Sequence, residues 1–325
     1  MGLPDFVHDL GTGIYAIDTA FQREHFDAAY LLVEQGRAAF IDTGTNHSVP
    51  RLLAALDAVG LGHEAVDFVI PTHVHLDHAG GVGLLMQALP RAQLIVHPRG
   101  LRHMLDPSAL WAGALAVYGE AEMQRSYGEL QPVAAERASA SSDGQIIELA
   151  GRPLLLLDTP GHARHHHCIW DKQSRCVFTG DTFGLSYREF DNAAGQPWML
   201  PTSTPVQFEP EALRQSIERL LALQPEGLCL THFARVGHSV AEVRMLAAQL
   251  LQQVDQMVSA ALALRDSTDR HEALKRALQT QYLRSAGEHG SVLTEAEMAA
   301  LMAMDVELNA QGLGIWMDKL APPAG

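Results

Sequence analysis

Short apolar runs broken by turn residues fill the first two thirds of the chain, and apolar steps of three and four residues fill the last third. The first pattern predicts strands and the second helices. "GIYAIDTA" reads as a strand, and "AAYLLVEQGRAAFIDTG" as a hairpin turning at Gln35-Gly36. "FVIPTH" is a short buried strand running to His73, with a helix over 79–89 and another strand in "QLIVHP". "QIIELAGRPLLLLDTPG" predicts a second hairpin turning at Gly151-Arg152. "HHCIWDKQSRCVFTGD" predicts a third, turning near Lys172–Ser174, and "GLCLTH" a last strand ending at His232.

Residues 99–135 lack strand alternation and read as a helical insertion. Residues 182–208 are irregular, with Pro197, Pro201 and Pro205, a length that in a compact domain points to a functional or disordered loop. Beyond residue 238, Val243, Leu246, Leu250, Val254, Met257, Ala261 and Leu264 mark one helical face. A second helix is expected over 270–284, and Thr294 with Glu297 forms a capping-box pattern that opens a third. The domains expected are 1–238, which carries the chemistry, and a helical extension, 239–325.

Composition narrows the partners. Apolar residues make up 47% of 325, enough for a sizeable core, and the formal charge is −15. Phosphate backbones and anionic membranes call for clustered Lys and Arg, so neither is an expected partner. No apolar run approaches the roughly 18 residues of a spanning helix, and the N-terminus lacks a basic start and an apolar h-region. A cytoplasmic protein acting on a small molecule is the expectation. Cys168, Cys176 and Cys229 sit in apolar runs and read as buried, reduced residues.

The 17 histidines are the chemical signal. "PGHARHHHCIW" packs four of them into six positions, which alone fits a metal site, a solvated loop or a strand. "PTHVHLDHAGG" is more informative, because it follows a buried strand and precedes a helix. Alternation puts His73 and His75 on one face, and Asp77 and His78 then turn with the chain, which suits two neighbouring ions. His162, Asp181 and His232 each end an apolar run, where a chain leaves the core. Imidazole and carboxylate ligands suit zinc, iron or manganese.

These motifs, in this order and with "FIDTG" (Asp42, Gly44), resemble the metallo-β-lactamase superfamily over roughly residues 10–235. The resemblance implies an α/β fold, an αββα sandwich with the helical extension appended. It implies His73, His75 and His162 on one metal, Asp77, His78 and His232 on the other, and Asp181 as the bridge. Two divalent ions, zinc foremost, would supply a metal-bound hydroxide, with Asp77 and His166 as catalytic residues. Glyoxalase II-like members carry a second histidine four residues after the first, which here is His166. His165 stands where those members have glycine. Strand alternation would set His166 with Cys168 on one face and His165 with His167 on the other, leaving His167 as a polar residue on a partly exposed strand.

Departures from family patterns narrow the reaction. Typical zinc β-lactamases place Cys at the Asp181 position, and flavodiiron oxygen reductases place Glu at the His75 position. Cleavage of a thioester, ester or lactone remains. The alternatives are a phosphodiesterase and a mononuclear iron persulfide dioxygenase using His73, His162 and Asp181. His97, Tyr187 and Trp198 are expected pocket residues, with the aromatic loops enclosing an apolar part of the substrate, and a homodimer is the expected assembly.

Overall fold

A computed structural model describes residues 2–203 and 206–320, apart from the side chains of Val117 and Tyr118. The chain divides into two compact units that do not follow a single cut at residue 238. Unit 1 comprises 1–158, 165–180 and 227–235. Unit 2 comprises 159–164, 181–226 and 236–325. Pro205 lies outside the described residues.

Unit 1 holds two sheets. The seven-stranded sheet runs in chain order: β1 (Val7–Asp9), β2 (Ile14–Asp18), β3 (Ala28–Glu34), β4 (Arg37–Ile41), β5 (Val66–Ile70), β6 (Gln93–Val96) and β7 (Ala138–Ala140). It is antiparallel from β1 to β4 and parallel from β4 to β7. The second sheet contains β8 (Ile146–Leu149), β9 (Arg152–Asp158), β10 (His167–Asp171), β11 (Cys176–Gly180), β12 (Gly227–Leu230) and β13 (Ala234–Val236), in the order β13-β12-β11-β10-β9-β8. Between strands of the first sheet lie α1 (Val49–Ala58), α2 (Leu76–Ala79), α3 (Val82–Ala88), α4 (Pro98–Leu105), α5 (Ser108–Tyr118) and α6 (Glu120–Ser126). The last three lie within 98–126, in the stretch read as a helical insertion.

Strand alternation sorts the core. Tyr30, Leu32 and Ile41 pack with Leu154, Leu156, Ile169 and Phe178 of the other sheet, so the two sheets face each other. Leu31 and Phe40 point the opposite way, onto Leu52 and Leu56 of α1 and Leu85 of α3. The first hairpin turns where expected, with both Gln35 and Gly36 at positive φ, the backbone of a tight two-residue turn. The second turns one residue early, at Ala150 and Gly151, again with both φ positive. Arg152 is thereby released into β9, where it is fully buried and its Nε lies 3.1 Å from Asp171 Oδ1. Three strands of three residues, β1, β7 and β13, are too short to show a period. β5 ends at Ile70 rather than His73, which sits in the loop beyond.

Unit 2 is helical: α7 (Pro210–Ala222), α8 (Val240–Ala263), α9 (Arg270–His289), α10 (Glu295–Leu301) and α11 (Ala303–Leu320). The predicted stripe of α8 is buried from Val243 to Ala261. Thr294 and Glu297 form the capping box expected at α10. The 182–203 segment is tied down by side chains of these helices. Asn309 Oδ1 accepts the Ser203 N–H at 2.7 Å, and Trp198 Nε1 donates to Ser285 Oγ at 3.1 Å. Among the described residues no helix is long and apolar enough to cross a membrane.

Candidate metal centre

Unit 1 carries His73, His75, Asp77, His78 and His232, and unit 2 carries His162 and Asp181. In unit 1 the candidate ligands stand where the chain leaves the parallel strands. Asp42, just past β4, clamps the loop after β5: its carboxylate accepts the Thr72 N–H at 2.6 Å and the Thr72 hydroxyl at 2.9 Å. The same carboxylate lies 2.9 Å from His78 Nδ1 and accepts the Thr231 hydroxyl at 2.8 Å. His75 opens α2 by accepting the Ala79 N–H at 2.8 Å, which brings Asp77 and His78 onto the first turn.

His232 follows β12 and is set against the start of β3, where the Ala28 N–H donates to the Thr231 carbonyl at 2.7 Å. Its Nδ1 lies 2.6 Å from Oδ1 of Asp27, a fully buried carboxylate. Both imidazoles therefore turn Nδ1 toward a buried aspartate, that of His232 also lying 3.3 Å from the Phe26 carbonyl, and Nε2 toward Asp77. His78 Nε2 is 3.7 Å and His232 Nε2 3.6 Å from Asp77 Oδ2. The three ligand atoms offered by Asp77, His78 and His232 lie within 4.8 Å of one another. Two imidazole nitrogens and a carboxylate at this separation are a donor set a divalent transition ion fits. Alongside them, His73 Nε2 and His75 Nδ1 face each other at 2.7 Å.

In unit 2, His162 Nδ1 is 3.4 Å from the Thr202 carbonyl, and its Nε2 is 3.2 Å from Asp181 Oδ2. Gly161, at φ 136°, lets the loop before His162 press against α7. A Cβ there would come within 2.3 Å of the Leu213 backbone, so no side chain fits.

A family model described as the metallo-beta-lactamase superfamily matches residues 23–232. The chain belongs to the metallo-beta-lactamase superfamily. It is 24% identical over 217 residues, 66% of this chain and 75% of the relative, to a metallo-beta-lactamase fold-containing protein of Sulfurisphaera tokodaii. It is 28% identical over 182 residues to the atrochrysone carboxyl ACP thioesterase of Aspergillus fumigatus, which is 56% of this chain and 42% of that protein. The crystal structure of a metallo-beta-lactamase family protein from Thermus thermophilus matches with a TM-score of 0.64 at 20% identity, over 91% of this chain and 95% of that one. The archaeal superfamily protein from Sulfolobus tokodaii matches with a TM-score of 0.61 at 19% identity, covering 93% and 98%. At these identities the structures show a shared fold.

Within this superfamily fold the remaining candidates fall into different surroundings. β10 begins only at His167, so alternation does not sort His165 and His166. Both lie beside the same candidate ligand: their ring centroids are 6.0 Å and 4.9 Å from that of His73. A Cβ at Gly180 would sit 2.5 Å from His166 Nε2, so the "TGD" glycine leaves room for this ring. His167 is buried rather than partly exposed. Its Nδ1 is 2.9 Å from Ser141 Oγ and its Nε2 2.8 Å from the Pro71 carbonyl. A carbonyl only accepts, so Nε2 carries the proton and the Ser141 hydroxyl donates to Nδ1. Burial pushes the His167 pKa down to about 4, against the Pro71 hydrogen bond.

His97 caps α4, its Nδ1 accepting the Arg99 N–H at 3.1 Å, and its Nε2 is 3.2 Å from Asp158. It lines a small cavity of about 70 Å³ with Ser141, Asp158 and His167. Tyr187 and Trp198 are buried inside unit 2. The Tyr187 hydroxyl donates to Asp305 at 3.3 Å, and the Trp198 ring packs on Phe190 with centroids 5.2 Å apart. Such burial makes both rings packing residues of the helical unit as placed. Sequence reading missed Asp27. It is one acidic residue ahead of the run "AAYLLV", and nothing in its neighbours separates it from an ordinary strand-edge carboxylate. Burial raises the Asp27 pKa to about 6, opposed by the adjacent His232.

Proposed function

We propose that this chain is a metal-dependent hydrolase that cleaves a thioester, ester or lactone of a small molecule. The observation that carries this reading is the convergence of Asp77, His78 and His232, with both rings oriented by buried carboxylates. The ligand assignment follows the family resemblance. His73, His75 and His162 would hold one ion, Asp77, His78 and His232 a second, with Asp181 shared. The chemistry such ions would supply is an activated water near neutral pH and polarisation of the substrate carbonyl. The protein's own part is orientation. Asp42 and Asp27 set the tautomers of His78 and His232, and His166 packs beside His73 and holds that ring. Asp181 in place of the β-lactamase cysteine disfavours antibiotic hydrolysis. The thioesterase named among the relatives supports the thioester branch. Ligand identities alone do not separate a two-ion hydrolase from a mononuclear iron dioxygenase; metal stoichiometry does.

The test joins elemental analysis of the purified protein to a panel of acyl thioesters, lactones, aryl esters and phosphodiesters. About two ions per chain with turnover of a thioester, ester or lactone is the expected result. One iron per chain with oxygen consumption on a persulfide would overturn it.

A further inference from the structure

We propose that Asp27 is a positioning residue that, together with the Phe26 carbonyl, fixes the tautomer and orientation of His232 and so strengthens divalent-cation binding at the Asp77–His78–His232 triad. The inference rests on reading that triad as a metal site, and it adds a residue outside the ligand set.

The geometry isolates this pair. Asp27 is completely buried, and neither of its carboxylate oxygens makes a hydrogen bond of good geometry with any group among the described residues. Its near neighbour is the His232 ring, with Oδ1 2.6 Å from Nδ1. Burying a carboxylate against a single ring is costly unless something compensates, and an apolar side chain would fill the position more cheaply. Nδ1 also lies 3.3 Å from the Phe26 carbonyl, and since both of these neighbours only accept, Nδ1 carries the hydrogen and the lone pair of a neutral ring lies on Nε2, the nitrogen 3.6 Å from Asp77. A cation at the triad would offset the negative charge that Asp27, Asp42 and Asp77 gather around two neutral rings.

Asp42 provides the internal contrast. It orients His78 in the same way, but it also holds the Thr72 backbone, the Thr72 hydroxyl and the Thr231 hydroxyl. Removing it would disturb the loop itself. Asp27 makes no such set of contacts, so its substitution reports on His232. The two residues meet through the backbone: the Ala28 N–H on the Thr231 carbonyl fixes 27 opposite 232, and that bond does not involve the Asp27 side chain.

The experiment compares the parent with Asp27→Asn and Asp27→Ala. Apoprotein is titrated with zinc against a chelator, and with cobalt(II) followed by its visible absorption. The thermal midpoint of each apoprotein is measured in parallel. Asp27→Ala should weaken one of the two ions by about tenfold to a hundredfold and shift one component of the cobalt spectrum. Asp27→Asn keeps an acceptor for Nδ1–H and should fall between Ala and the parent. The apoprotein midpoints should hold or rise, since a buried carboxylate has been removed. Parent-like affinity and spectra in both variants would overturn the proposal. So would equal weakening of both ions with a lowered apoprotein midpoint, which is the signature of a structural residue. A parent that binds no divalent ion would overturn the metal reading itself, and the variants are not needed to see it.

Discussion

Residues 73–78 and 162–167 are both dense in histidine, yet the structure uses them differently. In the first stretch His78 gives Nδ1 to a buried carboxylate and keeps Nε2 for Asp77. In the second, His162 likewise gives Nδ1 to a carbonyl and keeps Nε2 for Asp181. His167 gives both nitrogens away, one to Ser141 and one to the Pro71 carbonyl. A ring with both nitrogens engaged has no lone pair for a metal, whatever its neighbours in sequence. The number of histidines in a stretch says little, and the partner of the far nitrogen assigns the role.

That comparison breaks most sharply at the ligands. His78→Ala and His162→Ala should each lose metal and lower kcat/KM by roughly a thousandfold or more, the size expected when a cation's charge stabilisation is removed. Full metal content in either variant would strike that residue from the ligand set. His166→Ala is the intermediate case. It should keep most of its metal and lose about tenfold to a hundredfold in activity, because it releases the His73 ring without removing a ligand. An unchanged rate would reduce His166 to packing.

His167→Ala should leave metal content and kcat alone. Burial makes this residue more costly to remove than a polar group on an exposed strand would be. The Ser141 hydroxyl and the Pro71 carbonyl would each lose a partner, so a loss of about 1–3 kcal/mol in denaturant unfolding is expected. Metal loss in this variant would erase the distinction between the two kinds of histidine. The most gradual effect is the pH dependence. His167 has a folded pKa of about 4, below its ordinary 6.5, so the unfolded chain takes up the proton first. Its stabilising contribution is complete above pH 6.5 and declines as pH falls toward 4, by about 1 kcal/mol per pH unit. His167→Gln should flatten the stability curve of the apoprotein in that window, and an unaltered slope would show that His167 is not the group titrating.

The sequence by itself determined which residues are candidate ligands and much of the scaffold that carries them. "THVHLDH", "TPGH", "TGD" and "LTH" keep their order, and each follows a strand or a strand-and-turn whose period is local. The hairpin at Gln35-Gly36 and the capping box at Thr294 were legible for the same reason: backbone preference and short-range hydrogen bonds act between neighbours. Tertiary structure decided the rest. Asp27 meets His232 because β3 lies beside the end of β12, some two hundred residues away in the chain, and no periodicity records that pairing. His165 and His166 share a neighbour because the chain is still turning before β10 begins. Trp198 and Tyr187, read as pocket walls, find their partners on α9 and α11, because a large ring with one polar atom is buried wherever both its surface and that atom can be satisfied.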